Sequence, residues 1–154
     1  MIERRGPDYS SFLRLMKELE RVSKGYVKIG ILSEGPSEDG VNILEYAIYN
    51  EYGTSKIPAR PFLREATDSP AGSAEISAYV ELQLSKIIAT KGAFTAHDAL
   101  TAIGEFVRGK IILSIKTGRW APNAPSTIKG KGGRNTPLID KGDLIRAIDF
   151  EVVL

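Results

Sequence analysis

The sequence predicts an α+β fold: a small, mainly antiparallel sheet packed against several helices, with a long basic loop. Three observations carry that expectation. Segments near the two ends of the chain, 26–32 and 147–153, alternate apolar and polar residues with the period of two that marks a strand. The stretches between them repeat apolar residues at steps of three and four, the spacing of one helix face. Residues 116–139 follow neither period, and they hold five basic side chains and no acid.

The elements follow in order. Over 8–23, Phe12, Leu15, Met16, Leu19 and Val22 form one apolar stripe and predict a helix packed on the core. Asp8 or Ser10 serves as its N-cap and Gly25 as its stop. In the 26–32 strand, Val27, Ile29 and Ile31 point to a buried face, and Tyr26, Lys28 and Gly30 point away. Ser33 to Gly40 reads as an exposed loop, rich in Ser, Glu, Gly and Pro. Residues 41–52 predict a second helix with Ile43, Leu44, Ala47 and Ile48 inward. Tyr46, Tyr49 and Tyr52 form an adjacent strip, read as the rim of the core because the interleaved residues are Glu45 and Glu51, not bases.

Gly53 to Pro61 is a loop stiffened by Pro58 and Pro61. A helix restarts near Phe62, breaks at Ser69-Pro70-Ala71-Gly72 and resumes around Ala74, with Ile76, Val80, Leu84, Ile87 and Ile88 at helical spacing. Thr95-Ala96-His97-Asp98 resembles a capping box and opens a long helix carrying Leu100, Ile103, Phe106, Val107 and Ile111, which Gly118 ends. The 116–139 loop follows, then a short helix from about Asp140 and the terminal strand. Pairing of the two strands places Lys28 opposite Asp149 or Glu151.

At 154 residues the chain has the size of a single domain, 1–154, large enough to bury a core without disulfide or metal. Its 42% apolar and 26% charged residues are those of a globular protein. The absence of cysteine removes disulfides and thiolate metal centres, and the single histidine removes His-pair sites but not carboxylate-bound Mg²⁺ or Ca²⁺. The opening Met1–Pro7 lacks the apolar region of a secretory signal, and no run approaches the ~18 apolar residues that span a bilayer. The expectation is a chain made in a cytoplasm and not placed in a membrane.

The chain offers little for catalysis. His97 sits in the first turn of its helix beside Asp98, and nothing in the sequence supplies it with a nucleophile. Lys129-Gly130-Lys131-Gly132-Gly133-Arg134 invites comparison with a phosphate loop, but a Pro-rich stretch precedes it and Asn135-Thr136-Pro137 follows, where a P-loop needs a strand and then a helix. It reads as a flexible basic tip, either solvated or touching phosphates or an acidic partner. The net charge of +2 conceals this loop: residues 116–139 carry +5 and the rest of the chain −3. The reading is a non-enzymatic protein without cofactor or metal.

Three words in fixed order are more specific. Tyr49-Asn50-Glu51-Tyr52-Gly53-Thr54 is followed by Ile57-Pro58-Ala59-Arg60-Pro61-Phe62-Leu63-Arg64. Trp120-Ala121-Pro122-Asn123-Ala124-Pro125-Ser126-Thr127-Ile128 comes next, then Thr136-Pro137-Leu138-Ile139-Asp140-Lys141-Gly142-Asp143-Leu144. The series, from about Val27 to Val153, resembles the bacteriophage virion-morphogenesis and tail-completion family of small neck or minor tail proteins; Lys141 stands where that family usually has Thr. The resemblance implies an α+β subunit of a homo-oligomeric ring at the head–tail junction, in contact with other neck, connector or tail proteins, assembled in the host cytoplasm and carried in the virion. It also implies that the protein is not an enzyme.

The same words nominate contact residues. Arg60 and Arg64 flank Phe62 and Leu63, and Arg60 is expected to pair with a carboxylate in the fold or at an interface. Phe62 and Arg64 are the other candidates of that strap, and Trp120 is either a core lid or an interface anchor. Lys129, Lys131 and Arg134 are candidates for weak, sequence-independent contact with DNA passing through the ring. The alternative is a nucleic-acid-binding module that uses the 116–139 loop.

Overall fold

The computed structural model describes residues 7–32, 35, 42–139 and 142–154. The elements run α1 (Ser10–Lys24), β1 (Tyr26–Ile31), α2 (Ile43–Tyr52), α3 (Phe62–Thr67), α4 (Pro70–Ala89), α5 (Ala96–Thr117), α6 (Pro125–Gly130), α7 (Asp143–Ala147) and β2 (Ile148–Val153). This is the α+β class that the two periodicities predict. β1 and β2 pair antiparallel, with Lys28 opposite Glu151 and the ion pair closed at 3.2 Å.

α5 is the spine. It packs against α1, α3, α4 and both strands. Its inward residues Val107, Ile111 and Ile115 meet Phe62 and Ala66 of α3, Ile43 and Ala47 of α2, and Leu138, Leu144 and Ile148 from the C-terminal part. Two strands alone make a marginal sheet; packing of one face on a long helix supplies the burial it needs. The inward residues of β1, Val27, Ile29 and Ile31, are half-buried, short of the well-buried face expected. Gly104 permits close approach on the β2 side, since the Phe150 ring fills the space where a Cβ would stand.

The capping box forms as the sequence predicts. Thr95 Oγ1 accepts the Asp98 N–H at 3.1 Å, and Asp98 Oδ2 accepts the Thr95 N–H at 2.9 Å. The Thr95 amide and hydroxyl, both donating to the charged form, hold the Asp98 carboxyl below its ordinary value. A carboxyl depressed in the folded state stabilises the fold above its unfolded pKa and loses that contribution as pH falls through the folded one. Stability should therefore drop with acid below about pH 4, and Asp98→Asn should flatten that part of the profile. Urea denaturation between pH 2 and pH 6, with and without the substitution, checks this.

Several local expectations change. The α1 stripe does not face the core as a whole: Leu15, Leu19 and Val22 are half-buried, but Phe12 is 57% and Met16 49% exposed. The position turned inward is Glu18, whose Oε2 accepts the Ala96 N–H at 2.8 Å. A carboxylate suits the positive N-terminal end of α5, and placing it there rotates Phe12 and Met16 outward. At the start of α1, Tyr9 occupies the cap position without a side-chain bond, while Asp8 Oδ1 accepts from the Ser10 N–H.

α4 begins at Pro70, not near Ala74, because Ser69 caps it and proline suits the first helical position. Ile88, placed by spacing on its inner stripe, is 55% exposed. The 116–139 segment contains the one-and-a-half-turn helix α6, again opened by a proline. α7 starts at Asp143; the cap assigned to Asp140, and the 33–40 loop except Gly35, lie outside the described residues.

Candidate functional site

α2 ends at Gly53, whose φ of 75° and the Ala59 N atom, 2.9 Å from where a Cβ would lie, require glycine. The Thr54 N–H donates to the Ile57 carbonyl at 2.8 Å, and Thr54 Oγ1 accepts from the N–H groups of Lys56 and Ile57. The Arg60 N–H returns to the Asn50 carbonyl at 2.5 Å. The strap is thus folded back along the end of α2.

That fold-back buries the Arg60 side chain. Nη1 donates to Asn50 Oδ1 at 2.7 Å, Nε to the Ala121 carbonyl at 2.8 Å, and Nη2 to the Pro122 carbonyl at 2.9 Å. Asn50 is oriented in turn, its Nδ2 donating to the Tyr46 carbonyl at 2.9 Å. The expected carboxylate is not among these partners; all three are neutral. Two proline-bounded loops, stiff and short of backbone donors, leave carbonyls for the guanidinium fork to satisfy. Burial draws the guanidinium pKa down from its very high ordinary value, with Tyr46 opposing.

The carboxylate of the same word serves the next helix. Glu51, buried at the end of α2, accepts the Leu63 N–H on Oε2 at 3.0 Å and the Arg64 N–H on Oε1 at 3.0 Å. It thereby satisfies two open donors at the start of α3. Arg64 closes the group: Nε donates to Glu51 Oε1 at 2.9 Å, Nη2 to the Glu51 carbonyl at 2.7 Å, and its guanidinium lies 4.7 Å from the Tyr52 ring centre. Tyr49 and Tyr52 keep their rings at the surface.

Of the strap candidates, Phe62 is corrected outright. It is 2% exposed and part of the core within a single chain, so it offers nothing to a neighbour. Arg60 is a buried structural residue, and Arg64, part-exposed over Tyr52, is the strap candidate that faces solvent. Trp120 is half-buried: it packs against the core and on Gly118, and its Nε1 donates to the Ser114 carbonyl at 3.2 Å. Leu138, from the third word, takes a φ of 63° to enter the core beside Leu144.

The basic tip is tied by hydrogen bonds of its own segment. Lys131 Nζ donates to the carbonyls of Thr136 at 3.1 Å and Ile139 at 2.9 Å, and the Asn123 N–H donates to Asn135 Oδ1 at 3.0 Å. Lys131 is a staple of this segment, not an open contact. Lys129 and Arg134 are exposed, as are Lys116 and Arg119. His97 is exposed in the first turn of α5. Among the described residues, no helix is long and apolar enough to cross a membrane, and no group of three or more His, Cys, Asp or Glu is placed to hold a metal.

No protein-family model, curated protein or solved structure matches this chain.

Proposed function

We propose that this chain is a structural subunit of a bacteriophage neck or tail, a tail-completion or head–tail joining protein that assembles as a homo-oligomeric ring in the host cytoplasm and remains in the virion. The observation that carries the reading is the junction at Arg60. The words on which the resemblance rests are distant in sequence, yet the Arg60 guanidinium joins the first to the second, and Leu138 of the third lies in the same core as Phe62 of the first. Their polar groups are occupied in holding loops to helices, which is the use a protein working by shape makes of them. Exposed apolar side chains at the α1 cap (Tyr9) and on α1 (Phe12, Leu13 and Met16) supply contact surface for neighbours.

Contact with DNA belongs to the same proposal. Lys116, Arg119, Lys129 and Arg134 are exposed in a segment without an acid, while Lys131 is turned to the protein's own carbonyls. Lining a passage, such a surface gives weak, sequence-independent attraction to phosphates. The alternative, a nucleic-acid-binding module acting alone, draws on the same four residues. An image of the assembled neck separates them. A ring with 116–139 beside the DNA supports the joined reading, and a ring with that segment facing outward contradicts the DNA contact.

A further inference from the structure

Among the described residues the sheet has two strands, each with an outer edge, and three features show which groups point there. The Ile148 N–H is taken by the Ile145 carbonyl, the Ile148 carbonyl accepts from Arg108 Nε at 2.7 Å, and the Phe150 N–H donates to Asp149 Oδ1 at 2.8 Å. Ile148 and Phe150 therefore turn their backbone groups away from β1. In an antiparallel ladder facing pairs alternate between bonded and non-bonded. The bonded pairs are then Tyr26–Val153, Lys28–Glu151 and Gly30–Asp149. Val27, Ile29 and Ile31 on β1, and Ile148, Phe150 and Val152 on β2, direct their N–H and C=O groups outward. Among the described residues, β1 packs chiefly on β2 and α5 and holds no proline, and Lys28 is its one charged side chain.

Charge decides what fits this edge. β1 carries one lysine, and β2 carries Asp149 and Glu151. A β1–β1 or β2–β2 contact between copies brings like charges onto one face. A β1–β2 contact brings opposite ones together. We propose that the sheet continues from copy to copy, the outer edge of β1 pairing antiparallel with the outer edge of β2 in a second copy of this chain. The register is the one the strands already use. Val27 faces Val152 and Ile29 faces Phe150 as bonded pairs, Ile31 falls beside Ile148, whose N–H stays with the Ile145 carbonyl, and Lys28 falls opposite Glu151 of the neighbour. The two edges differ, so the contact is head-to-tail and closes into a ring when the rotation permits. Arg108 and Asp149 guard the β2 edge in the single chain and release it as the neighbour's strand arrives.

This inference rests on the ring reading and names its contact. Its test is Val27→Pro in the full chain. That substitution removes an outward N–H and none from the ladder within the chain, a place where an edge strand tolerates proline. The assembled mass of wild type and variant is measured by light scattering, and folding by circular dichroism. The expected result is a folded variant whose assembly is at least about tenfold weaker than wild type. A variant that assembles as wild type does overturns the edge pairing and leaves the ring reading standing. A wild type that stays monomeric overturns the ring reading and this contact with it. Should the variant unfold, hydrogen exchange on wild type decides. Protection of the Val27, Ile29, Ile31 and Val152 amides on assembly supports the pairing, and unchanged exchange overturns it.

Discussion

Replacing Arg60 with alanine should destabilise the fold by about 3 kcal/mol, since hydrogen bonds from a charged group are worth ~1.5–3 kcal/mol each and are not fully additive. For a chain of this size that lowers the melting temperature by about 6–12 °C. The cost comes less from the bonds themselves than from what stays behind. The Ala121 and Pro122 carbonyls and Asn50 Oδ1 lose their donor, and the strap loses its link to the Trp120 loop. Lysine should recover little of the loss, because one ammonium cannot reproduce the planar fork that reaches three acceptors. Thermal and urea denaturation of the wild type and both variants measure this. A change below about 1 kcal/mol for Arg60→Ala would show that the junction does not hold these loops.

Gly104→Ala should also destabilise, by about 2–3 kcal/mol, the usual range for a side chain forced into a filled space. Helix propensity alone predicts the opposite sign, since alanine in a helix interior is favoured over glycine by ~1 kcal/mol. The structure makes packing win: a Cβ at 104 would lie 2.3 Å from Phe150 Cδ2 and 2.7 Å from Cγ, so the ring must move at its base. Moving Phe150 pushes β2 away from α5. Phe150→Leu combined with Gly104→Ala should therefore lose less than the two single changes added together. A stabilised Gly104→Ala variant would mean that the strand does not sit on α5 as described.

Much of this arrangement was legible in the sequence. The two strands, their pairing and an acidic partner for Lys28, Asp149 or Glu151, follow from alternation at the chain ends, and the register selects Glu151. The Thr95–Asp98 box is a local motif whose partners lie three residues apart, so it was readable without tertiary knowledge. α1 misled because hydrophobic spacing ranks Phe12 and Met16 as core, while the orientation of the helix is set by Glu18 meeting the start of α5, 78 residues away. Pro70 reads as a break and Pro125 as part of a loop, yet each opens a helix, where a missing N–H costs nothing.

The Arg60 junction was half visible. The word containing it was singled out, but its acceptors are backbone carbonyls 61 and 62 residues on, and a carbonyl carries no sequence signature. Asn50 and Glu51 stand inside the first word, and Glu51 also between the tyrosines, but neither is assigned a partner by sequence. A signal was present in Asn50-Glu51 at a helix end, just before a proline-stiffened strap that must have its backbone groups satisfied. Lys131 looked like part of an open basic tip because charge is readable from sequence and the carbonyls that capture it are not.

As proposed above, this chain works as a ring subunit at the neck or tail of a virion. Electron cryo-microscopy of the particles that carry it tests this most directly. The expected result is a closed ring of identical copies at the head–tail junction, each fitted by the α5-centred fold. Particles whose neck and tail hold no such ring, together with a purified chain that stays monomeric at high concentration, would contradict it.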